Sequence, residues 1–134
     1  MWKAIKYDNR YLDEMLQMTV EQYGSENDIA DRNFLMHEYF ANPVGDAVIS
    51  LAWDDTKMQI AGQYVIWPMQ FMVESNKIKC AHSLNTLTGK QYRGQGIFTG
   101  LAEENYETAC KKDITFIYAT PNPNSYPGFI KKLS

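Results

Sequence analysis

Gln91-Tyr92-Arg93-Gly94-Gln95-Gly96-Ile97-Phe98-Thr99 places two glycines just ahead of a run with apolar positions at helical spacing. β-branched and apolar residues precede this segment, so the order is strand, glycine-bearing loop, helix. That order points several backbone N–H groups at one spot and adds the positive end of a helix dipole. Gly94 and Gly96 let a ligand approach the backbone with no Cβ between. The expected occupant is an anion, with pyrophosphate the first candidate. It would be held by the N–H groups from Arg93 through Gln95 and Ile97 to Phe98, with the Thr99 hydroxyl as a further donor.

Spacing rules out two common phosphate loops. A dinucleotide fingerprint needs G-x-G-x-x-G, but its third place falls on Thr99, with Gly100 one residue late. A Walker loop needs G-x-x-x-x-G-K-[ST], and no Lys follows Gly96. The segment does fit Q/R-x-x-G-x-G/A, with Gln91, Gly94 and Gly96 in the defined places. It therefore resembles the acyl-CoA loop of the GNAT family of N-acetyltransferases. A second block agrees. After the apolar run Ile114-Thr115-Phe116-Ile117-Tyr118-Ala119-Thr120 comes Pro121-Asn122-Pro123-Asn124-Ser125-Tyr126-Pro127-Gly128-Phe129-Ile130-Lys131-Lys132-Leu133. This resembles the family's later motif, an Asn ahead of a helix ending in aromatic-x-K-x-G-F, and Asn122 stands seven residues before Phe129 as in that pattern. Motifs carry the resemblance over residues 46–133 and element order alone over 1–45.

The resemblance implies an α/β (α+β) fold, a mixed, mostly antiparallel central sheet flanked by helices, with acetyl-CoA or CoA as co-substrate. Thr86, Leu87 and Thr88, on the strand before the loop, would present their edge to the pantetheine amides, which can pair with a strand as a peptide does. The next parallel strand would splay away there, and Asn122 would join the cofactor site. Transfer would be direct attack of an amine on the thioester in a ternary complex. An alkyl ammonium has a pKa of about 10.4, so the acceptor must lose a proton, and the departing thiolate benefits from an acid. His82 and Glu38 are the candidate bases, with a water chain to solvent as the alternative. For the acid, the family often has tyrosine where this chain has Phe129, which cannot donate. Tyr126, one turn earlier, is the candidate replacement, although Pro127 can reset the start of that helix. Trp67, Tyr64, Phe34 and Tyr39 fit an acceptor slot and a core equally well. The acceptor is therefore defined only as a small-molecule or peptide amine. Phe129 also favours a second reading, a CoA-binding sensor or scaffold without turnover. A third, a nucleotide-binding protein, is opposed by the spacings above.

The elements that position these residues are legible from periodicity. Trp2–Tyr7 alternates as a short strand. Leu12, Met15, Leu16, Thr19, Val20 and Tyr23 then follow helical spacing, with Asp8 or Asn9 to cap and Gly24 to stop. A second helix fits residues 31–41 and must end before Asn42-Pro43; its exposed face holds His37 and Glu38. Strands at Ala47–Trp53 and Met58–Trp67 flank the turn Asp54-Asp55-Thr56-Lys57. A further run to Val73 leads through Glu74-Ser75-Asn76-Lys77 into the strand 78–88. Pro68 marks a bulge or an edge position. After the loop comes a helix with Phe98, Ala102, Tyr106 and Cys110 on one stripe. The strand from Ile114 is apolar on both parities and so reads as central, parallel to its predecessor.

With 134 residues, 45% of them apolar, the chain holds one core and one domain, residues 1–134. The net charge of −3 with interspersed signs excludes the long basic surface of a nucleic-acid binder. Cys80 and Cys110 lack metal or redox spacing and read as buried small hydrophobes; no metal site is expected. With no signal peptide or long apolar run, a cytoplasmic, membrane-free protein is expected. Ser134 falls where the family pattern continues into two more strands, so the domain reads as C-terminally incomplete. A homodimer or a further domain would then complete the sheet.

Overall fold

Alternating and continuous apolar runs set the strands, and these assemble into a five-stranded sheet in the order β1-β2-β3-β4-β5. The computed structural model describes residues 1–132. β1 (Trp2–Lys6), β2 (Val48–Asp54), β3 (Gln59–Val73) and β4 (Asn76–Thr88) pair antiparallel in succession, while β5 (Ile117–Ala119) joins β4 in parallel. The sheet is mixed and mostly antiparallel, as expected.

Four α-helices among the described residues flank it. α1 (Leu12–Tyr23) follows a 3-10 turn capped by the Asp8 side chain and ends at Gly24, which has φ +85°. α2 (Arg32–Phe40) starts where the Asp31 carboxylate accepts from the Phe34 N–H at 2.7 Å, and it stops before Asn42-Pro43. α1 and α2 cover one face of the sheet, with Leu12, Met15, Leu35 and Tyr39 packed on Ile49, Leu51, Val65 and Leu87. α3 (Ile97–Lys111) covers the other, with Ile97, Leu101, Ala102 and Ala109 on Ala52, Ala61, Tyr64, Ile66 and Ala81. α4 (Tyr126–Lys132) packs beside it through Phe129.

Several expectations need correction. The inward stripe of α3 runs Ile97-Leu101-Asn105-Ala109, one position off the expected one, so Cys110, at 100° per residue beyond Ala109, is turned to solvent. Cys80 alone is the buried thiol. Phe34 lies on the solvent side of α2, 43% exposed. The turn between β3 and β4 is the pair Glu74-Ser75, both at positive φ, so Asn76 and Lys77 already belong to β4. β5 is short and, among the described residues, stands at the sheet edge rather than the centre. Its apolar positions on both parities have two explanations: Ile117 packs on the α3 side, while Phe116 and Tyr118 form an aromatic column with Phe71 of β3. Pro68 pairs with Ala81 on the part of β3 that extends past β2, whose register ends at Ile66, so it occupies an edge. The bulges lie elsewhere.

One bulge shapes the site. β3 and β4 pair Val65 with Leu84 but Gln63 with Leu87, which leaves one extra residue in β4 at Asn85-Thr86. Asn85 takes φ +52° to accommodate it. The bulge reverses parity, so Leu84 and Leu87 both face the α1–α2 layer.

Candidate functional site

β4 and β5 pair only over Ala81–Ser83 and Ile117–Ala119. Beyond Ser83, β4 continues through the bulge to Thr88 while β5 has already ended, so the two strands part. The gap opens into a cleft of about 680 Å³, within the usual size of a small-molecule site. Ser83 to Thr88 form one wall, Ala119 to Asn122 the other, and the glycine loop and the start of α3 the end. The residues that bend β4 away are those that leave its backbone groups without a neighbouring strand, as strand-like pairing with a ligand requires.

The loop leaves room and donors for an anion. Gly94 and Gly96 have φ of +79° and +76°, and a Cβ at either place would meet no atom within 4 Å. Both therefore face open space in a conformation that side-chain-bearing residues rarely adopt. Gly96 precedes α3 without a side-chain cap, and no acidic residue occupies the first turn of that helix. Its first N–H groups and its dipole are therefore available.

Three contacts fix the loop. The Trp2 indole donates to the Gln95 carbonyl at 3.1 Å, and Arg93 donates to Gln22 Oε1 on α1 at 3.2 Å. The third runs from Tyr92, whose hydroxyl donates to Asp54 Oδ2 at 2.7 Å and accepts from Gln59 at 2.8 Å. The Tyr92 bond, with the Lys57 and Thr56 N–H groups, holds the Asp54 carboxyl below its ordinary range against a smaller opposing effect of burial. Burial, and after it the same bond, raise the Tyr92 phenol.

Of the residues expected to bind the cofactor, Thr86, Leu87, Thr88, Arg93, Gly94, Gly96, Ile97, Phe98 and Asn122 line the cleft, while Gln91, Gln95 and Thr99 do not. The Asn122 side chain accepts from the N–H groups of Asn124 and Ser125 at 3.0 and 2.9 Å, so it shapes the turn into α4. Tyr126 lies outside the cleft and is 54% exposed. Phe129 instead lines the cleft and packs edge-on against Phe98 at 5.1 Å. Pro127 and the Asn122 turn set the phase of α4, and that phase points position 129 inward rather than 126.

Glu38 and His82 both stand just behind the cleft wall. Glu38 is half-buried on α2, with Asn85 Nδ2 at 3.4 Å from its Oε2; burial raises its carboxyl pKa and the Asn85 contact opposes the shift. Asn85 also donates to the Tyr39 hydroxyl at 2.8 Å, and the Trp67 indole donates to the Glu38 carbonyl at 2.7 Å. Tyr39 and Tyr64 are fully buried, so both belong to the core. His82 stacks on Tyr118, with Thr120 Oγ1 at 3.2 Å from its Nε2.

Sequence reasoning missed Asn85, Thr120 and the helical-layer residues Gln22, Tyr23, Asn27 and Ile29, all in the cleft wall. No local signal marks a bulge that pairing with β3 decides.

A family model for the acetyltransferase (GNAT) domain matches residues 4–133. The chain belongs to the GNAT family. No curated protein matches it in sequence. Among solved structures, glucosamine-6-phosphate N-acetyltransferase from Arabidopsis thaliana superposes with a TM-score of 0.79 at 11% identity, covering 100% of this chain and 91% of that one. A predicted acetyltransferase from Clostridium acetobutylicum, solved with acetyl-CoA, gives 0.78 at 20% identity, covering 98% and 88%. An aminoglycoside acetyltransferase from an uncultured soil metagenomic sample gives 0.72 at 13% identity, covering 100% and 90%. At these identities the superpositions establish the GNAT fold, while the family match supports acyl transfer in general.

Proposed function

We propose that this GNAT domain transfers an acetyl or similar acyl group from CoA to an amine by direct attack in a ternary complex. The observation that supports this most is the coincidence of the β4–β5 gap with the glycine loop at its end. A thioester arm fits the gap and a pyrophosphate fits the loop. Thr86, Leu87 and Thr88 would pair with the pantetheine amides. The N–H groups between Arg93 and Phe98 would hold the pyrophosphate, and Lys131 and Lys132 line the same cleft.

The acceptor end suits an ammonium on a small molecule or a peptide. Its wall includes the neutral residues Tyr23, Asn27 and Ile29, with the Glu38 carboxylate behind Asn85. The net charge of −3 gives no attraction to nucleic acid. A cytoplasmic setting, where acyl-CoA is available, fits the reading.

A second reading, a CoA-binding sensor without turnover, is favoured by one observation: the aromatic in the cleft is Phe129, which has no acidic proton. Thiol release from acetyl-CoA with a panel of primary amines separates the two. Amine-dependent release supports the transferase. CoA binding without release from any amine supports the sensor.

A further inference from the structure

The two groups behind the cleft wall differ in what separates them from it. Between Glu38 and the cleft stands the Asn85 amide nitrogen, which donates but does not accept, so it orients the carboxylate without handing it a proton. Between His82 and the cleft stands the Thr120 hydroxyl, 3.2 Å from Nε2, and a hydroxyl does both. Thr120 follows directly after β5. Tyr118 fixes the imidazole plane by stacking on it, with 4.7 Å between centroids and 8° between planes. Tyr118 from β5 faces the imidazole, and His82 forms no ion pair among the described residues. Burial lowers the imidazole pKa, so His82 is neutral at physiological pH and able to accept.

We propose that Thr120 and His82 form a proton relay that deprotonates the attacking amine, a role that rests on the acyl-transfer reading. Thr120 Oγ1 takes a proton from the acceptor ammonium as its own hydroxyl proton passes to His82 Nε2, with the other ring hydrogen on Nδ1. The freed amine forms the new C–N bond to the thioester carbonyl, and the C–S bond breaks. The second nitrogen proton ends on the CoA sulfur, and the imidazolium returns its proton to solvent. One proton is released per turnover, and no oxidant or metal is required.

The test uses the full chain with acetyl-CoA and spermidine, tryptamine, glucosamine and a lysine peptide as probes. Thr120→Val should lower kcat by roughly 10²-fold with unchanged CoA affinity, as for a lost acid–base group, and Thr120→Ser should restore it. His82→Gln should remove the acidic limb of the kcat/KM pH profile. Independently of turnover, nitrogen-15 NMR of the two histidines should show that Thr120→Val changes the His82 tautomer or titration while His37 is unmoved. If CoA leaves the melting temperature unchanged, the acyl-transfer reading falls and the relay with it. If CoA binds but Thr120→Val works at full speed, His82→Gln keeps the acidic limb, or the His82 resonances ignore Thr120, the relay alone is overturned.

Discussion

Gly94 makes the sharpest residue-scale test. Its φ of +79° excludes β-branched side chains on conformational grounds, and the space beside it is the cleft itself. Gly94→Val should therefore abolish CoA binding measured by calorimetry while leaving a folded protein by circular dichroism. Unaltered CoA affinity would remove the loop from the cofactor site. Positions 126 and 129 make a paired test at the same scale. Tyr126 lies outside the cleft, so Tyr126→Phe should change kcat by less than about twofold, far short of the roughly 10²-fold loss of a general acid. Phe129→Tyr brings a phenol into the cleft wall, and steady-state assays should find a rate equal to or above wild type. A large loss in Tyr126→Phe with CoA affinity intact would return the acid role to Tyr126.

At the scale of elements, α3 is fixed to the sheet by a polar residue. Asn105 is fully buried, and its Nδ2 donates to the Val48 carbonyl, Ser50 Oγ and the Tyr64 carbonyl at 3.0, 3.1 and 3.2 Å. Asn105→Ala strands those acceptors, a cost of about 1–3 kcal/mol, and should lower the melting temperature by several degrees in a thermal scan. The Tyr92–Asp54 bond ties the loop to the β2–β3 hairpin and makes stability depend on pH. Asp54 has a depressed pKa when folded, so its contribution is complete above the unfolded value, about 3.9, and fades as pH falls through the folded one. The melting-temperature gap between wild type and Tyr92→Phe should therefore be full at neutral pH and shrink below about pH 4. A gap that grows on acidification would contradict this origin. These elements also show how far the sequence reaches. The stop at Gly24, the Gly94–Gly96 loop and the strand-like runs of β2 to β4 are local signals, and each predicted its element. Asn105, the β4 bulge and the edge place of β5 depend on which strand or helix lies opposite, and no local periodicity encodes that. Cys110 was misplaced for the same reason, since apolar spacing fixes a stripe only to within one residue of its true centre.

For the whole molecule, a ligand that binds only the folded state stabilises it by mass action, by about 2.7 kcal/mol at 100 times its Kd. The cleft joins α1, β4, the glycine loop and α4, so a ligand filling it links the two helical layers and should raise the unfolding temperature of the whole cooperative unit. CoA and acetyl-CoA should do so; ATP and NAD, whose loops need the spacings absent here, should not at equal concentration. The opposite ranking in a thermal-shift titration would assign the loop to a nucleotide and remove the acyl-transfer reading. Salt separates the contributions further. In the proposed complex the pyrophosphate would be held by backbone N–H groups and a few cations at a cleft of a chain with net charge −3, while pantetheine pairing would be screened little. Raising ionic strength should therefore weaken CoA binding measurably but only weakly affect a pantetheine fragment without phosphates. Equal salt sensitivity of the two ligands would place the phosphates outside the loop.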